Sequence, residues 1–540
     1  MTNYDVIIRG GTVYDGSGWP ASQADLAINA DTIAAVGALG ADRGRTEIDA
    51  TGLAVAPGFI NMLSWATESL IADGRSQSDI RQGVTLEVFG EGVSLGPLTT
   101  EMKQTQRERQ GDITYDITWT TLDEGLRALI DRGVSPNVAS FVGATTLREH
   151  TVDHDDRPPT PEELETMRAL MRQAMEDGAL GVGSSLIYAP ACYADTDELV
   201  ALAEVAAELG GMYISHIRNE GTHLLEAIDE LLEIARRSGA PAEIWHLKAA
   251  GPVNWHKLDA ALERVETARA EGLRITADMY TYSASASGLD ATMPGWVQEG
   301  GHRAWVARLQ DPSIRARLRH ELARAGAEQQ NEFLGAQKIL LTGFRNETLK
   351  PLTGKSLADV ATMRGTSPED TIMDLVVEDD SRVGCVYFTM SEDNVRKAVA
   401  TPWVSFCSDS PSLAPEGVFL KSSTHPRAYG SFARLLGKYV RDEQVIPLEE
   451  AVRRLSGLPA ENLGLERRGR LTPGYYADVV VFDPSTIQDH ATFDRPHQYA
   501  SGVQHVFVNG AQVLKNGEHT DARPGRVLRG RGYRLTGRRV

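Results

Sequence analysis

The sequence predicts an α/β protein: a (β/α)8 TIM-like barrel with a small β-sandwich domain formed from both termini. Three observations predict it. Eight short apolar runs alternate with longer amphipathic helical patterns through the middle of the chain. Parallel neighbours need a crossover, so such alternation means parallel strands, and eight units suggest a closed barrel. The two ends read differently, as short strands and turns, and no Gly-x-Gly-x-x-Gly turn follows the first strand, as a dinucleotide-binding open sheet would need.

In chain order, Val6-Ile7-Ile8-Arg9-Gly10-Gly11-Thr12-Val13 reads as a hairpin broken by glycine, followed by strands at Ala24–Ile28 and Thr32–Val36. The barrel strands are expected at 54–62, 85–91, 137–143, 180–186, 212–218, 243–249, 273–280 and 404–410. Thr196 to Leu209 and Leu224 to Ser238 are helices between them. The stretch 285–339 is long for a βα connection, and its centre reads as arginine-rich helices. An insertion at the mouth of a barrel is expected to act as a lid. Asp478 to Asp483 and Val503 to Gly510 return to strands. The expected division is residues 1–55 and 465–540 for the β-sandwich and 56–464 for the barrel.

A length of 540 residues exceeds one compact core, which agrees with a large and a small domain. The formal net charge of −19 and the lack of a basic segment before Arg526 argue against nucleic acid as a partner. The arginine-rich tail, Arg526 to Arg539, reads as a solvated end. No apolar run is long enough to span a membrane, and the first residues lack a secretory pattern. The three cysteines, Cys192, Cys385 and Cys407, are far apart, so no disulfide framework is expected and a reducing cytoplasm fits. The expected partner is a small molecule; the oligomeric state is open.

Active sites of such barrels lie at the C-terminal ends of the strands. Strand two ends at Glu91, strand five at His216, strand six at His246 and strand eight at Asp409. Two imidazoles and a carboxylate, with one position left for water, suit Zn²⁺. A lone histidine is more often a hydrogen-bonded core residue than a ligand; two that both end predicted strands shift the balance. His223, His256, His425, His490, His497, His505 and His519 are set aside, because they fall beyond strand ends or in turn-rich segments.

At these residues the chain resembles the D-aminoacylase (N-acyl-D-amino-acid deacylase) branch of the amidohydrolase superfamily. The resemblance runs over nearly the whole chain. It is carried by Ile8-Arg9-Gly10-Gly11-Thr12-Val13-Tyr14-Asp15-Gly16, Gly183-Ser184-Ser185-Leu186-Ile187-Tyr188, His216-Ile217-Arg218-Asn219-Glu220-Gly221, His246-Leu247-Lys248-Ala249-Ala250-Gly251, Ser408-Asp409 and His425-Pro426-Arg427-Ala428-Tyr429-Gly430. It implies zinc-dependent hydrolysis of N-acyl-D-amino acids, or of a related carboxylate-bearing amide, by a metal-bound hydroxide. His216 and His246 match the metal histidines, and Asp409 the general base and acid. Lys248, Tyr282 and Arg427 match residues that bind the substrate carboxylate, and Tyr188 a tyrosine that polarises the scissile carbonyl.

Three departures stand out. The superfamily ends strand one with His-x-His; here Leu63 and Trp65 hold those positions, and neither can ligate zinc. Both are then expected to line the substrate pocket. The branch's strand-two metal cysteine is missing, and Glu91, a harder ligand, replaces it. A Gly-His-Gly-Thr-Leu-Arg run reads Gly143-Ala144-Thr145-Thr146-Leu147-Arg148. The expected centre therefore holds one zinc per chain on Glu91, His216 and His246. The alternatives are a hydrolase or amide-forming enzyme for a bulky, cyclic or dipeptide-like amide, and a non-catalytic relative.

Overall fold

The computed structural model describes residues 2–327 and 335–535. Its centre is a parallel barrel of strands β1 (Phe59–Asn61), β2 (Val84–Phe89), β3 (Asn137–Ser140, resuming at Val142–Gly143), β4 (Gly181–Ser185), β5 (Met212–His216), β6 (Ala242–Ile244), β7 (Ile275–Met279) and β8 (Val404–Phe406). β1 to β3 form one parallel arc and the second half of β3 through β8 the other. The arcs meet within β3 at Phe141 and between β1 and β8. At the second seam Ser64 and Ser410 form a parallel bridge and the Asp409 N–H donates to the Leu63 carbonyl at 2.9 Å.

These strands are buried on both faces, so their sequences read as nearly unbroken apolar runs. Inside the ring pack Ile60, Met62, Leu63, Val88, Ile214 and Trp245. Trp245 fits because Gly183 faces it: a Cβ there would lie 2.5 Å from the indole. The helices outside follow local signals. Pro161–Asp177 opens on a Thr160–Glu163 capping box with proline in its first turn. It buries Met167, Met171, Ala174 and Met175 as one stripe and stops at Gly178 in the left-handed region.

Both ends of the chain join one antiparallel-rich sheet, the small β-sandwich. Asn3–Val13 pairs with Ser22–Asn29, Arg43–Asp49 and Ala54–Pro57. Ala54–Pro57 pairs with Val479–Phe482 near the other end. The expected hairpin at Gly10-Gly11 is instead a bulge inside one strand.

Two expectations change. The insertion is larger than 285–339. Ser285–Gly288, Ile339–Gly343 and Gly384–Tyr387 form an antiparallel sheet with Gly384–Tyr387 in the middle. Helices Gly301–Gln310 and Pro368–Asp379 help enclose a separate core that includes Leu289, Leu341, Ile372 and Tyr387. Of the arginine-rich tail, the backbone of 526–533 is docked on the barrel although Arg526 and Arg531 keep exposed side chains, and its last residues lie outside the described ones. The segment lies across the N-terminal side of the barrel, with the Arg526 carbonyl accepting from Val138 N–H at 2.9 Å and Leu528 N–H donating to Val138 at 2.8 Å. Arg529 ion-pairs with Asp123. No helix among the described residues is long and apolar enough to cross a membrane.

Candidate metal centre

The barrel delivers its polar residues to one mouth. After β2, Gly90 turns with φ of 108°, where a Cβ would lie 2.4 Å from the Phe141 carbonyl oxygen, and this turn sets Glu91 over the ring. His216 is the last residue of β5. His246 and Asp409 follow β6 and β8 with φ of 37° and 48°, a left-handed conformation that strains side-chain-bearing residues. Such strain tends to persist at functional sites, where the surrounding packing enforces it.

Donor atoms of Glu91, His216 and His246 all lie within 4.8 Å of one another. Glu91 Oε1 is 2.8 Å from His216 Nδ1 and 3.1 Å from His246 Nε2. Burial alone would raise the Glu91 carboxyl; hydrogen bonds from both histidines outweigh it and hold the group well below the usual carboxylate range. Three buried, convergent nitrogen and oxygen donors fit a zinc ion.

The outer nitrogens of both rings face Glu220. His246 Nδ1 lies 3.1 Å from Glu220 Oε1, and His216 Nε2 lies 3.7 Å from Oε2. Lys248 Nζ completes the group at 2.6 Å from Glu220 and 2.8 Å from His246 Nδ1. Burial opposes the Glu220 charge, but Lys248 and the two histidines keep the carboxyl well below its ordinary value.

Asp409 sits between two donors. Arg427 Nη1 lies 2.6 Å from Oδ2, and the Trp65 indole donates to Oδ1 at 3.2 Å and to Glu91 Oε2 at 3.0 Å. Arg427 lies over the Tyr280 ring, 4.4 Å from its centroid, and its backbone N–H donates to His425 Nδ1 at 2.9 Å. Burial and Arg427 push His425 well below its usual range, so it stays neutral and its Nε2–H donates to the Ala284 carbonyl.

A cavity of about 510 Å³ opens above these groups and runs to His302 and Trp305 of the insertion, so this segment supplies pocket wall. Tyr188 stands in the wall with its ring edge-on to His216 and its hydroxyl 2.7 Å from Ser287 Oγ. Burial raises the Tyr188 phenol, so it remains a proton donor. Arg382 lies over that ring and pairs with Asp290 at 2.7 Å.

Glu91, His216, His246, Asp409, Tyr188, Trp65, Lys248 and Arg427 therefore meet in one pocket. Leu63 and Tyr282 do not line it. Leu63 follows the end of β1 at Asn61 and is fully buried, packed into the cluster of Ile60, Met62, Val88 and Ile214 beneath the site. Tyr282 lies beyond β7, with its hydroxyl donating to Asp489 at 3.1 Å and Arg434 over its ring. Lys248 and Arg427 are engaged by Glu220 and Asp409 rather than left free for a carboxylate. Sequence reasoning missed Glu220, Tyr280, Arg382 and the set-aside His425. Glu220 was within reach, four residues after His216 in the same strand-end run; Arg382 sits on a segment with no strand signal.

Comparison with known proteins settles the kinship. The model of the amidohydrolase family matches residues 115–514. The chain is 33% identical to a D-aminoacylase of Alcaligenes xylosoxydans xylosoxydans over 97% of both chains. The chain belongs to the amidohydrolase family, in its D-aminoacylase branch. Among solved amidohydrolases, the N-acyl-D-glutamate deacylase of Bordetella bronchiseptica, complexed with zinc and a phosphonate inhibitor mimicking the tetrahedral intermediate, superposes with a TM-score of 0.80. That match has 32% identity and covers 98% of this chain and 100% of the other. A D-aminoacylase described as having a binuclear centre, with one-metal activation and second-metal attenuation, also gives 0.80 at 32% identity, covering 97% of this amidohydrolase and 100% of that chain.

Proposed function

We propose that this amidohydrolase hydrolyses the amide bond of N-acyl-D-amino acids with one zinc ion held by Glu91, His216 and His246. The observation that carries the reading is the convergence of those three donors beside Asp409, in a chain one-third identical to a D-aminoacylase. A bound zinc would polarise the scissile carbonyl and bring the pKa of water towards neutrality. Asp409 then takes the proton from water and hands it to the leaving amine, and the Tyr188 hydroxyl donates to the carbonyl oxygen. Arg427 and Trp65 hold Asp409 in place for both transfers.

Charge supports an acidic substrate. The centre carries three carboxylates (Glu91, Glu220, Asp409) and two cations (Lys248, Arg427). With a divalent ion and neutral histidines, the sum is one positive charge, which attracts a carboxylate-bearing amide.

The test is the zinc-loaded enzyme against paired N-acyl-D- and N-acyl-L-amino acids. Turnover of the D series is expected, falling about 10²–10⁴-fold in Asp409→Asn, in line with the loss of general base catalysis. Zinc content should stay unchanged. Loaded enzyme that turns over no acyl amino acid would refute the reading. The length of the cavity and the indole exposed in its wall favour a bulky acyl group, so kcat/KM should rise from acetyl to aromatic acyl substrates.

A further inference from the structure

We propose that the Trp65 indole N–H stands where a second metal ion would bridge Glu91 and Asp409, and thereby limits the centre to one ion. The inference rests on the one-zinc reading above and names the group that enforces it. The indole nitrogen lies 3.0 Å from Glu91 Oε2 and 3.2 Å from Asp409 Oδ1. The remaining oxygens are committed elsewhere: Glu91 Oε1 to the two histidines, and Asp409 Oδ2 to Arg427. All four carboxylate oxygens thus have partners before any second ion arrives.

An ion shared by these two carboxylates would sit roughly 2.0–2.2 Å from an oxygen of each. That point falls in the space of the indole N–H. The N–H is a donor with no lone pair to offer a metal, and its positive end faces the gap. The Trp65 backbone N–H donates to the Ser410 carbonyl across the β1–β8 seam at 3.1 Å, which fixes the point from which the ring projects, and swinging the ring aside would break both indole hydrogen bonds. Leu63, the other residue on that edge, points into the barrel and supplies no donor.

The substitution exchanges a dication for a neutral donor. Asp409 stays free of metal and keeps Oδ1 directed at the pocket, while Trp65 fixes its angle and that of Glu91. Trp65 is thus a positioning residue. Excess metal, which attenuates the D-aminoacylase described above, should leave this enzyme unaffected.

The test is metal stoichiometry. Metal-free protein is titrated with Co²⁺, followed by its visible absorption, and with Zn²⁺ by calorimetry, alongside Trp65→Phe, Trp65→Ala and Trp65→His. Wild type should saturate at one equivalent, and its turnover should not fall in excess zinc. All three variants should take up a second equivalent. The ring is partly exposed, at 39%, so the variants should fold, and matching thermal midpoints confirm it. Two equivalents in wild type would overturn the role of Trp65 and the single-ion count, and leave only the deacylase activity standing. No bound metal in wild type would sink the three-donor centre and this inference with it. Variants that all stay at one equivalent would overturn it. So would Trp65→Phe staying at one while Trp65→Ala takes two, since bulk rather than the N–H would then exclude the ion.

Discussion

Each histidine of the proposed metal centre turns one nitrogen to Glu91 and the other towards Glu220, which lies 3.1 Å from His246 Nδ1 and 3.7 Å from His216 Nε2, so this carboxylate orients the His246 ring most directly. Outer carboxylates of this kind keep metal histidines oriented and basic. Glu220→Gln should therefore weaken zinc binding by about 10–100-fold, read by competition with a chromophoric chelator. Leu63 makes an opposite prediction. As a pocket residue its truncation would raise KM; as a residue of the barrel interior, Leu63→Ala should lower stability by about 2–5 kcal/mol and leave KM unchanged. Denaturant unfolding and steady-state kinetics separate the two. The three donors and Asp409 were legible in the sequence because each ends or follows an apolar run, where a polar side chain has to face a shared mouth. Leu63 and Tyr282 were not placed correctly, because resemblance assigns a position and says nothing of which way the chain turns there. At Tyr282 the strand has already ended at Met279, and the ring that reaches the pocket is Tyr280.

The barrel strands were legible as elements, since a parallel strand buried on both faces is a continuous apolar run. Their ends were not. The run expected over 243–249 stops pairing at Ile244, because the backbone turns left-handed at His246 to aim its ring, and apolar content carries no mark of that turn. The insertion sheet was invisible for another reason. Ser285–Gly288 has only Ala286 as an apolar residue, and its partner Gly384–Tyr387 is supplied from far along the chain. The C-terminal strap was misjudged because charge suggested solvation, whereas Arg529 pairs with Asp123 and Tyr533 is buried. Ending the chain after Ala522 should cost about 3 kcal/mol or more, the order of one buried aromatic ring plus several backbone hydrogen bonds. Urea unfolding measures it, and an unchanged midpoint would return the strap to the status of a loose tail.

Across the whole molecule, buried carboxyls make stability depend on pH in two directions. Burial and Asp278 push Glu243 up to about 8, and burial pushes Asp278 up to about 7. The native protein therefore holds a proton here that the unfolded chain releases. This contribution is complete at low pH and is lost as pH rises through about 7 to 8. Glu91 and Glu220 are held below the ordinary range, so their contribution is present above it and is lost in acid. The metal-free protein should unfold at a lower temperature at pH 9 than at pH 6, and Glu243→Gln should reduce that loss; a flat profile in wild type would contradict the retained proton. The sheet that joins the two ends has its own consequence during synthesis. Ala54–Pro57 leaves the ribosome early, but its partner Val479–Phe482 appears only after the whole barrel has been made. Until then the nascent chain carries an unpaired apolar edge, and that edge is where a stalled or prematurely ended translation product would aggregate.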